Sequence, residues 1–483
     1  MPKLSSRSAT GRLSSSSSGS CRSQRPSGNA KPKPASTPNA SSPGSAPNRT
    51  SPGFRASAQI LPLSPKPSRY AARLSYDKCV FSPRRGPFSR ALAFVILLAS
   101  APLAHAATVL VLQFHNSSRY PDLNWVGESI SETLKDELSA EGQIVFGRES
   151  RAEALRRLSL RPTADFTKAT LIRLGQSLDA DYLCYGTYDA NPLAGDGDLK
   201  HSSVQISAHV IDLRKLHDGP DFAEAGKLVD LSRLEEHLAW QSLRFLAPAA
   251  NLPVDKFLAP AKLTRVDAEE SYIRGLLSHS KDQQQKWFTQ ALALDGQFTN
   301  PAYELGRLAL ERKDYRPAIA WFKRIPSAHP RYGEARFKMG LASYGAADYS
   351  ASAGYFRELS AAFPLNEVYN NLGAAEDQLN QPNAIDDLRR AADGDPNDPV
   401  YLFNLGSALL KANKFDEAAK QFQAALSHSG EDAETRTLLG RAQRHEFTSP
   451  GSKPPAPARL KYNFDFAAFQ QLKAVVQSKG SSE

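Results

Sequence analysis

The sequence predicts a multidomain protein, α/β plus all-α, in which a small α/β sandwich is followed by an α-solenoid of helix-turn-helix repeats. Apolar segments in residues 107–250 follow the order β-α-β-α-α-β-β-α, which is typical of helices covering a mixed sheet. Residues 266–445 repeat a glycine at steps of 31, 34, 33, 33 and 34 residues. A period of ~34 residues indicates stacked pairs of antiparallel helices.

The first 106 residues differ in composition from the rest of the chain. They hold 16 Lys or Arg and one acidic residue, Asp77, in a Ser- and Pro-rich context that predicts a disordered leader over residues 1–83. The remainder holds 44 basic and 49 acidic residues, so the basic balance of the whole chain, 60 against 50, belongs to the leader. The predicted folded part therefore lacks the excess of cations that nucleic-acid binding requires, and no nucleic-acid partner is expected.

Residues 84–106 have the three parts of a secretory signal peptide. Basic residues precede the apolar run 91–100, and Ala104 with Ala106 forms an A-x-A cleavage site. The run is shorter than the ~20 residues of a membrane-spanning helix. We expect cleavage after Ala106 and export, with a periplasmic location and membrane association only through the signal or envelope partners. An uncleaved anchor is the alternative.

This signal begins some 80 residues from Met1, and the only other methionine is Met339. A misplaced start codon, with Val80 as a plausible non-AUG start, is our hypothesis, and an organelle transit peptide is the rival. After cleavage Cys184 would be the single cysteine, so no intramolecular disulfide is expected. Its apolar surroundings predict a buried thiol in a strand.

Periodicity predicts the elements of the first domain. We expect strands over 108–114, 143–146, 181–188 and 204–213 and helices over 126–140, 149–158, 164–178 and 231–246. The first strand is nearly all apolar, which is typical of a strand covered on both faces. In the first helix the apolar face leaves Glu128, Glu132 and Asp136 on the expected solvent side.

About 140 of these residues resemble the TolB-type N-terminal domain. The resemblance rests on strand 109–114, Asn124-Trp125 before a helix, the segment 178–182 with Gly186, and the segment 208–212. The long loop 195–203 departs from it. The resemblance implies a role in assembly at the bacterial envelope without enzymatic activity.

About 180 residues resemble the tetratricopeptide repeat family, with five repeats and a sixth first helix near 431–445. Small residues at the helix contacts let the paired backbones approach closely. The structural repeat positions are Gly275, Gly306, Gly340, Gly373, Gly406, Gly440, Ala318, Ala384, Ala418, Pro330, Pro364 and Pro396. The first repeat departs, with Gln284 at the usual alanine position and three residues missing from its turn.

Functional positions in this family lie on the first helices, three residues before and one and four after the glycine. This spacing predicts a concave groove lined by Tyr303, Arg307, Leu310, Phe337, Leu341, Tyr344, Asn370, Asp377, Phe403, Ser407 and Leu410, with Asn371 and Asn404 beside it. Asparagine can bind the backbone of an extended peptide, and aromatic rings accept apolar side chains. We therefore expect a protein or peptide partner in the groove. The lysine and asparagine clamp for a C-terminal carboxylate is missing.

We predict a Pro-rich linker over residues 446–460 and an amphipathic helix over residues 461–478. The helix either folds back on the array or docks on a partner, and we favour packing within the chain because exposed aromatic faces promote aggregation.

No catalytic, cofactor-binding or metal-binding pattern is evident. We interpret His237, after Glu235-Glu236, as part of a solvated helix face, and Asp393, Asp395 and Asp398 as turn and capping residues rather than calcium ligands. The sequence thus favours a non-enzymatic, exported scaffold that mediates protein-protein interaction at the bacterial cell envelope. The alternative is an α/β domain that senses a small ligand or glycan, with the repeats relaying or supporting the signal.

Overall fold

The structure is a computed structural model that describes residues 106–162, 165–191, 201–248, 252–258, 263–449 and 451–480. The predicted leader, Ala104 of the predicted cleavage site and residues 195–200 of the long loop lie outside these residues. Within the described part of the chain, no helix is both long and apolar enough to cross a membrane.

The first domain is a mixed sheet with helices on both faces, as predicted, and the sheet has six strands where four were predicted. Its strands are β1 (Thr108–Val111), β2 (His115–Asn116), β3 (Ile144–Val145), β4 (Tyr182–Asn191), β5 (Ser203–Asp212) and β6 (His217–Lys227). Its helices are α1 (Trp125–Ala140), α2 (Arg148–Arg157), α3 (Lys168–Gln176) and α4 (Leu231–Leu246), followed by a short α5 (Val254–Leu258). The strand order is β3-β1-β4-β5-β6, with β2 on β4; β1 is parallel to β3 and β4, whereas β4, β5 and β6 are antiparallel.

The side chains of β1 point alternately to the two faces of the sheet, and the core of this domain has one layer on each face. Val109 and Val111 pack in one layer with α1 and α4, whereas Leu110 and Leu112 pack in the other with α2 and α3. A strand covered on both faces must be apolar at every position, which is the pattern that the sequence showed. Cys184 is a free, buried thiol of β4, and burial raises its pKa to about 12.

Strand β6 was missed by the sequence analysis, which had no strand between β5 and the last helix. Its residues are mostly polar and include Gly219 and Pro220, both of which disfavour strands. It pairs antiparallel with β5 and ends the strand order of the sheet. Proline is tolerated at an edge because the outer backbone groups need no ladder partner.

The second part of the chain is a stack of antiparallel helix pairs, which confirms the predicted solenoid. Its helices are α6 (Val266–Leu277), α7 (Lys281–Leu294), α8 (Asn300–Glu311), α9 (Tyr315–Phe322), α10 (Tyr332–Gly345), α11 (Tyr349–Ala362), α12 (Asn366–Gln378), α13 (Ala384–Gly394), α14 (Pro399–Lys411), α15 (Phe415–Ser429) and α16 (Ala433–Gln443). A last helix, α17, runs from Phe466 to Gly480.

Each periodic glycine of the five helix pairs faces one large side chain of the second helix. A Cβ built on the glycine would lie 2.4–2.8 Å from that side chain, closer than real Cβ atoms come. The pairs are Gly275 with Phe288, Gly306 with Phe322, Gly340 with Phe356, Gly373 with Leu388 and Gly406 with Phe422. The glycine therefore provides the notch into which the large side chain fits, and the period of the sequence follows from this contact.

Helix α1 lies between the sheet and the repeat array, so the expectation of a solvated acidic face was wrong. Glu128 is buried and forms ion pairs with Arg151 and Arg148. Asp136 accepts a hydrogen bond from Asn300 Nδ2 of α8 at 2.8 Å. The acidic face meets polar groups of the neighbouring helices, and this long-range packing is invisible in the helix period.

Candidate peptide-binding groove

Three asparagines on two neighbouring first helices form a buried cluster on the array. Asn370 and Asn371 lie on α12 and Asn404 lies on α14. Asn404 Nδ2 donates to Asn370 Oδ1 at 2.8 Å, and Asn370 Nδ2 donates to Asn371 Oδ1 at 3.0 Å. These bonds fix the orientation of the three amides, which we call the asparagine cluster.

The asparagine cluster binds the backbone of the chain's own C-terminal tail, residues 456–473. Asn371 Nδ2 donates to the Lys461 carbonyl at 2.8 Å, and its Oδ1 accepts from the Lys461 N–H at 2.9 Å. Asn404 makes the same pair of bonds to Arg459, at 2.7 and 2.8 Å, and Asn370 Nδ2 donates to the Arg459 carbonyl at 3.1 Å. Alternate backbone units of an extended segment are thus held through both polar groups.

The Arg459 side chain lies between an aromatic ring and two carboxylates. Its guanidinium carbon is 3.4 Å from the ring centroid of Phe403 on α14. The guanidinium forms ion pairs with Asp432 and, at 2.9 Å, with Glu434. Hydrogen bonds from Arg459 hold the pKa of Asp432 well below its usual value.

Lys461 lies in a second site of the same chemistry. Its Nζ is 4.8 Å from the ring centroid of Tyr401 and forms an ion pair with Asp398. Asp398 also caps α14, because its carboxylate accepts from the Val400 N–H at 2.8 Å. The capping role predicted for Asp398 is therefore present, and the same carboxylate also binds the tail.

Farther along the tail, Phe464 enters an apolar part of the array. Its ring centroid is 5.4 Å from that of Phe337 on α10. The next N–H, of Asp465, donates to Glu367 Oε1 at 2.8 Å, and burial raises the pKa of that glutamate. Asp465 then accepts from the Ala468 N–H at 2.9 Å at the start of α17.

These contacts correct the predicted boundary of the C-terminal helix. The helix predicted over 461–478 begins at Phe466, because the preceding residues are extended and bound to the array. Helix α17 then packs Phe469 against Phe363, with ring centroids 4.4 Å apart. Gln470 Nε2 donates to the Ser139 carbonyl of α1 at 3.1 Å. The tail thus contacts both the array and the α/β domain, which agrees with the favoured packing within the chain.

The other residues predicted for the groove fall into three groups. Leu341 and Tyr344 belong to the apolar cluster that receives Phe464. Leu310, Leu410 and Ser407 are partly or fully buried within the array, and Asp377 forms an ion pair with Lys411. Tyr303 and Arg307 line a cavity of about 1100 Å³ between the α/β domain and the first repeats.

This cavity continues the surface that holds the tail. Phe464 and Phe466 line it together with Tyr303 and Arg307 of α8. Arg307 forms ion pairs with Glu304 and Glu311 on its own helix. The predicted positions on α8 thus lie beside a polar cavity, whereas those on α10, α12 and α14 include the residues that contact the tail.

The family comparison can now be set against this geometry. Residues 399–432 match the tetratricopeptide repeat family model. They form α14, α15 and the turns around them, so the matched repeat carries Tyr401, Phe403 and Asn404. The family model thus confirms the predicted tetratricopeptide repeat at residues 399–432, and the structure shows the same pairing of helices in the other four predicted repeats. The TolB-type resemblance of the first domain stays a prediction.

Several solved structures share a limited similarity with the chain. MamA from Desulfovibrio magneticus RS-1 is 20% identical over 34% of this chain and 96% of its own, with a TM-score of 0.31. YrrB, a tetratricopeptide repeat protein with an unusual peptide-binding site, is 19% identical over 40% and 97%, with a TM-score of 0.29. The C-terminal domain of LpoB from Salmonella enterica is 16% identical over 28% and 93%, with a TM-score of 0.20. No curated protein matches the sequence.

Sequence analysis missed the acidic residues and one ring of the groove. Tyr401, Asp432, Glu434 and Glu367 are outside the three positions per tetratricopeptide repeat that the family spacing selects. They lie on or just before the first turns of α12, α14 and α16. A search for carboxylates at the starts of the first helices would have found the three acidic residues, although capping explains such residues equally well.

A second group of acidic residues lies where α1, α4 and α6 meet. Glu235 and Glu236 are buried, so the interpretation of this stretch as a solvated face was wrong. Thr133 Oγ1 donates to Glu235 at 2.6 Å, and Ser129 Oγ donates to Glu269 of α6 at 2.5 Å. Burial raises the pKa of both Glu235 and Glu269, and it raises that of Glu236 to about 7. In the described part of the chain no group of three or more His, Cys, Asp or Glu side chains is placed so that it could hold a metal ion.

Proposed function

We propose that the protein is an exported, non-enzymatic scaffold whose tetratricopeptide repeats hold a protein partner in extended form at the bacterial cell envelope. The observation that carries this proposal is the double hydrogen bonding of Arg459 and Lys461 by Asn404 and Asn371. Any extended peptide has backbone N–H and C=O groups that can form these bonds, so the groove can bind extended segments other than the tail.

Export and envelope location rest on the signal-peptide pattern of residues 84–106. Sequencing the amino terminus of the protein made by its native cell tests both the cleavage site and the start hypothesis. A mature chain beginning at Ala107 supports export. Recovery of peptides from residues 1–79 would contradict the start near Val80, and an intact signal would contradict cleavage.

In-cell crosslinking and capture of a tagged chain tests the scaffold role. The informative variant replaces Asn371 and Asn404 by Ala, because both amides face the bound backbone. The matched control is Asn397→Ala, at an exposed position beside the same repeat. We expect a discrete envelope protein to be captured by wild type and control and lost in the double variant. Equal capture by all three would contradict the groove as the binding site.

The second candidate function, ligand or glycan sensing, is favoured by a cavity of about 490 Å³ in the α/β domain. Phe114, His115, Arg151, Phe166 and Tyr185 are among its lining residues, a mixture of apolar and hydrogen-bonding groups that suits a small amphipathic molecule. A metabolite-induced rise in melting temperature, abolished by a bulky replacement of Thr187 in the cavity wall, would support this function.

A further inference from the structure

The tail occupies the groove through side chains as well as through its backbone. Arg459 and Lys461 each place a cation over an aromatic ring and against a carboxylate of the array. Phe464 follows three residues after Lys461 and packs on Phe337. The groove therefore contains two sites for cations and one for an aromatic side chain, in fixed order along the tail.

The spacing of these sites follows from strand geometry. In an extended chain, side chains two residues apart point to the same face, so Arg459 and Lys461 can enter neighbouring sites at once. The asparagine cluster binds the backbone whatever the sequence is. Selectivity must therefore come from the ring and carboxylate pairs, because a carboxylate placed there would meet like charges.

We propose that this groove binds, in place of the tail, an extended segment of a partner protein that carries two basic residues two positions apart and an aromatic residue three positions after the second. The inference rests on the proposed function and names the chemistry of its partner. The tail of the chain itself is then an internal ligand that the partner replaces.

The shape of the groove shows how a partner could compete with a tethered tail. A covalently attached segment has an effective concentration on the order of millimolar, so a competitor needs additional contacts. The tail turns into α17 at Phe466, beside the cavity lined by Tyr303 and Arg307. A partner that stays extended past its aromatic residue would enter this cavity and gain contacts with the first repeats.

The test uses the full chain with a released tail and a synthetic peptide as the probe. The released-tail variant carries Arg459→Ala, Lys461→Ala and Phe464→Ala, which remove the three side-chain anchors. The probe is a fluorescent peptide with the sequence of residues 456–470. We expect saturable binding to the released-tail variant and an apparent affinity for wild type that is weaker by on the order of tenfold or more, because the wild-type groove is occupied. Equal affinity for the two proteins would overturn the proposal.

Two matched controls separate charge recognition from simple adhesion. The first is the probe with Glu at both basic positions, which we expect to lose at least about tenfold in affinity through like-charge contacts. The second adds Asp398→Asn and Asp432→Asn to the released-tail variant. Asparagine caps a helix as well as aspartate does, so these changes remove charge while keeping the caps. These changes should weaken the binding of the basic probe, and they should leave the binding of a probe with neutral Gln at both positions unchanged.

Selection from a random peptide library on the released-tail variant identifies the partner chemistry directly. Enrichment of two basic residues two apart, with an aromatic residue three positions later, supports the proposal. Enrichment of peptides without the basic pair would leave the proposed function standing and overturn this inference. A folded released-tail variant that binds no peptide would overturn both. Two copies of the protein could instead exchange tails, so that the tail of each copy fills the groove of the other. A dimer that binds no added peptide would show this, and it would also overturn the inference.

Discussion

Asn371 holds Lys461 of the same chain by both of its backbone groups, with Nδ2 donating to the carbonyl at 2.8 Å and Oδ1 accepting from the N–H at 2.9 Å. The two residues are 90 positions apart in the sequence. The side-chain amide offers a donor and an acceptor, as the backbone of a neighbouring β-strand does. The array thus binds the tail in the way that one strand binds another.

Asn371→Ala should release the tail from the groove. The change leaves the N–H and C=O of Lys461 without their partner, at a cost of about 1–3 kcal/mol for buried groups. Trypsin cleaves after Arg459 and Lys461, so limited proteolysis should be on the order of tenfold faster at these bonds. Asn397→Ala is the control and should cleave like wild type. Unchanged cleavage in the Asn371 variant would show that the amide contributes nothing to docking.

Asp432→Asn should destabilise the protein in a pH-dependent way. The Arg459 guanidinium lowers the folded-state pKa of this carboxyl, so its contribution is present above the unfolded pKa of ~3.9 and is lost as pH falls through the folded value. We expect a loss on the order of 1 kcal/mol at pH 7, seen as a lower melting temperature, that shrinks as pH falls below ~4. A difference between variant and wild type that is constant from pH 7 to pH 3 would show that the charge of Asp432 does not stabilise the folded state.

Glu236→Gln should stabilise the contact between α4 and its neighbours at alkaline pH. Burial, with Glu269 nearby, raises the pKa of Glu236 to about 7. A carboxyl whose folded pKa is raised gives stability that is fully present below the unfolded pKa of ~4.3 and is lost as pH rises through about 7. At pH 8 the variant should therefore have a higher melting temperature than wild type, equivalent to on the order of 1 kcal/mol of unfolding free energy. At pH 4 the two proteins should have the same melting temperature.

The control for this measurement is Glu149→Gln, which removes the same charge from an exposed position on α2. Its melting curve should follow wild type at both pH values. If the Glu236 variant also follows wild type at pH 8, burial of that carboxyl does not oppose folding.

Gly340→Ala should destabilise the array, whereas Gly354→Ala should not. A Cβ at Gly340 would lie 2.6 Å from the Phe356 ring, so the two helices would have to separate. Overpacking of this kind costs about 1–3 kcal/mol. Gly354 lies on α11 with no atom within 4 Å of a built Cβ, and Ala there gains helix propensity of up to ~1 kcal/mol. Chemical denaturation measures the unfolding free energy of each variant. Equal stability of the two variants would contradict the claim that Gly340 provides a notch for the Phe356 ring.

The repeats were predictable because their key contacts recur. The glycine of a first helix meets a large side chain of the second helix in each of the five pairs, a ring in four of them and Leu388 in the other, so one packing rule appears in the sequence five times. In the first repeat the three missing residues shorten the end of α6 rather than its turn, and Phe288 still fills the notch of Gly275. The local pattern carried enough information because the contact itself is local.

The remaining features depend on partners that are distant in sequence. The acidic face of α1 was predicted to be solvated because the sequence pattern of the helix contains no information about its partner. Asn300, which donates a hydrogen bond to Asp136, is 164 residues away. The asparagines were predicted to bind an extended backbone, whereas the segment that they bind was predicted as linker and helix. Periodicity indicates which face of an element is polar, and tertiary packing alone determines what covers that face.

Hydrogen exchange of the Arg459 and Lys461 amides tests the central claim most directly. Each N–H donates to an asparagine of the array, so the wild-type protein should exchange both amides at least about tenfold more slowly than a free peptide of residues 456–465. In the Asn371→Ala and Asn404→Ala double variant, this protection should disappear while the exchange of α12 and α14 stays slow. Exchange at the free-peptide rate in the wild-type protein would contradict the claim that the groove of the helical array binds an extended chain.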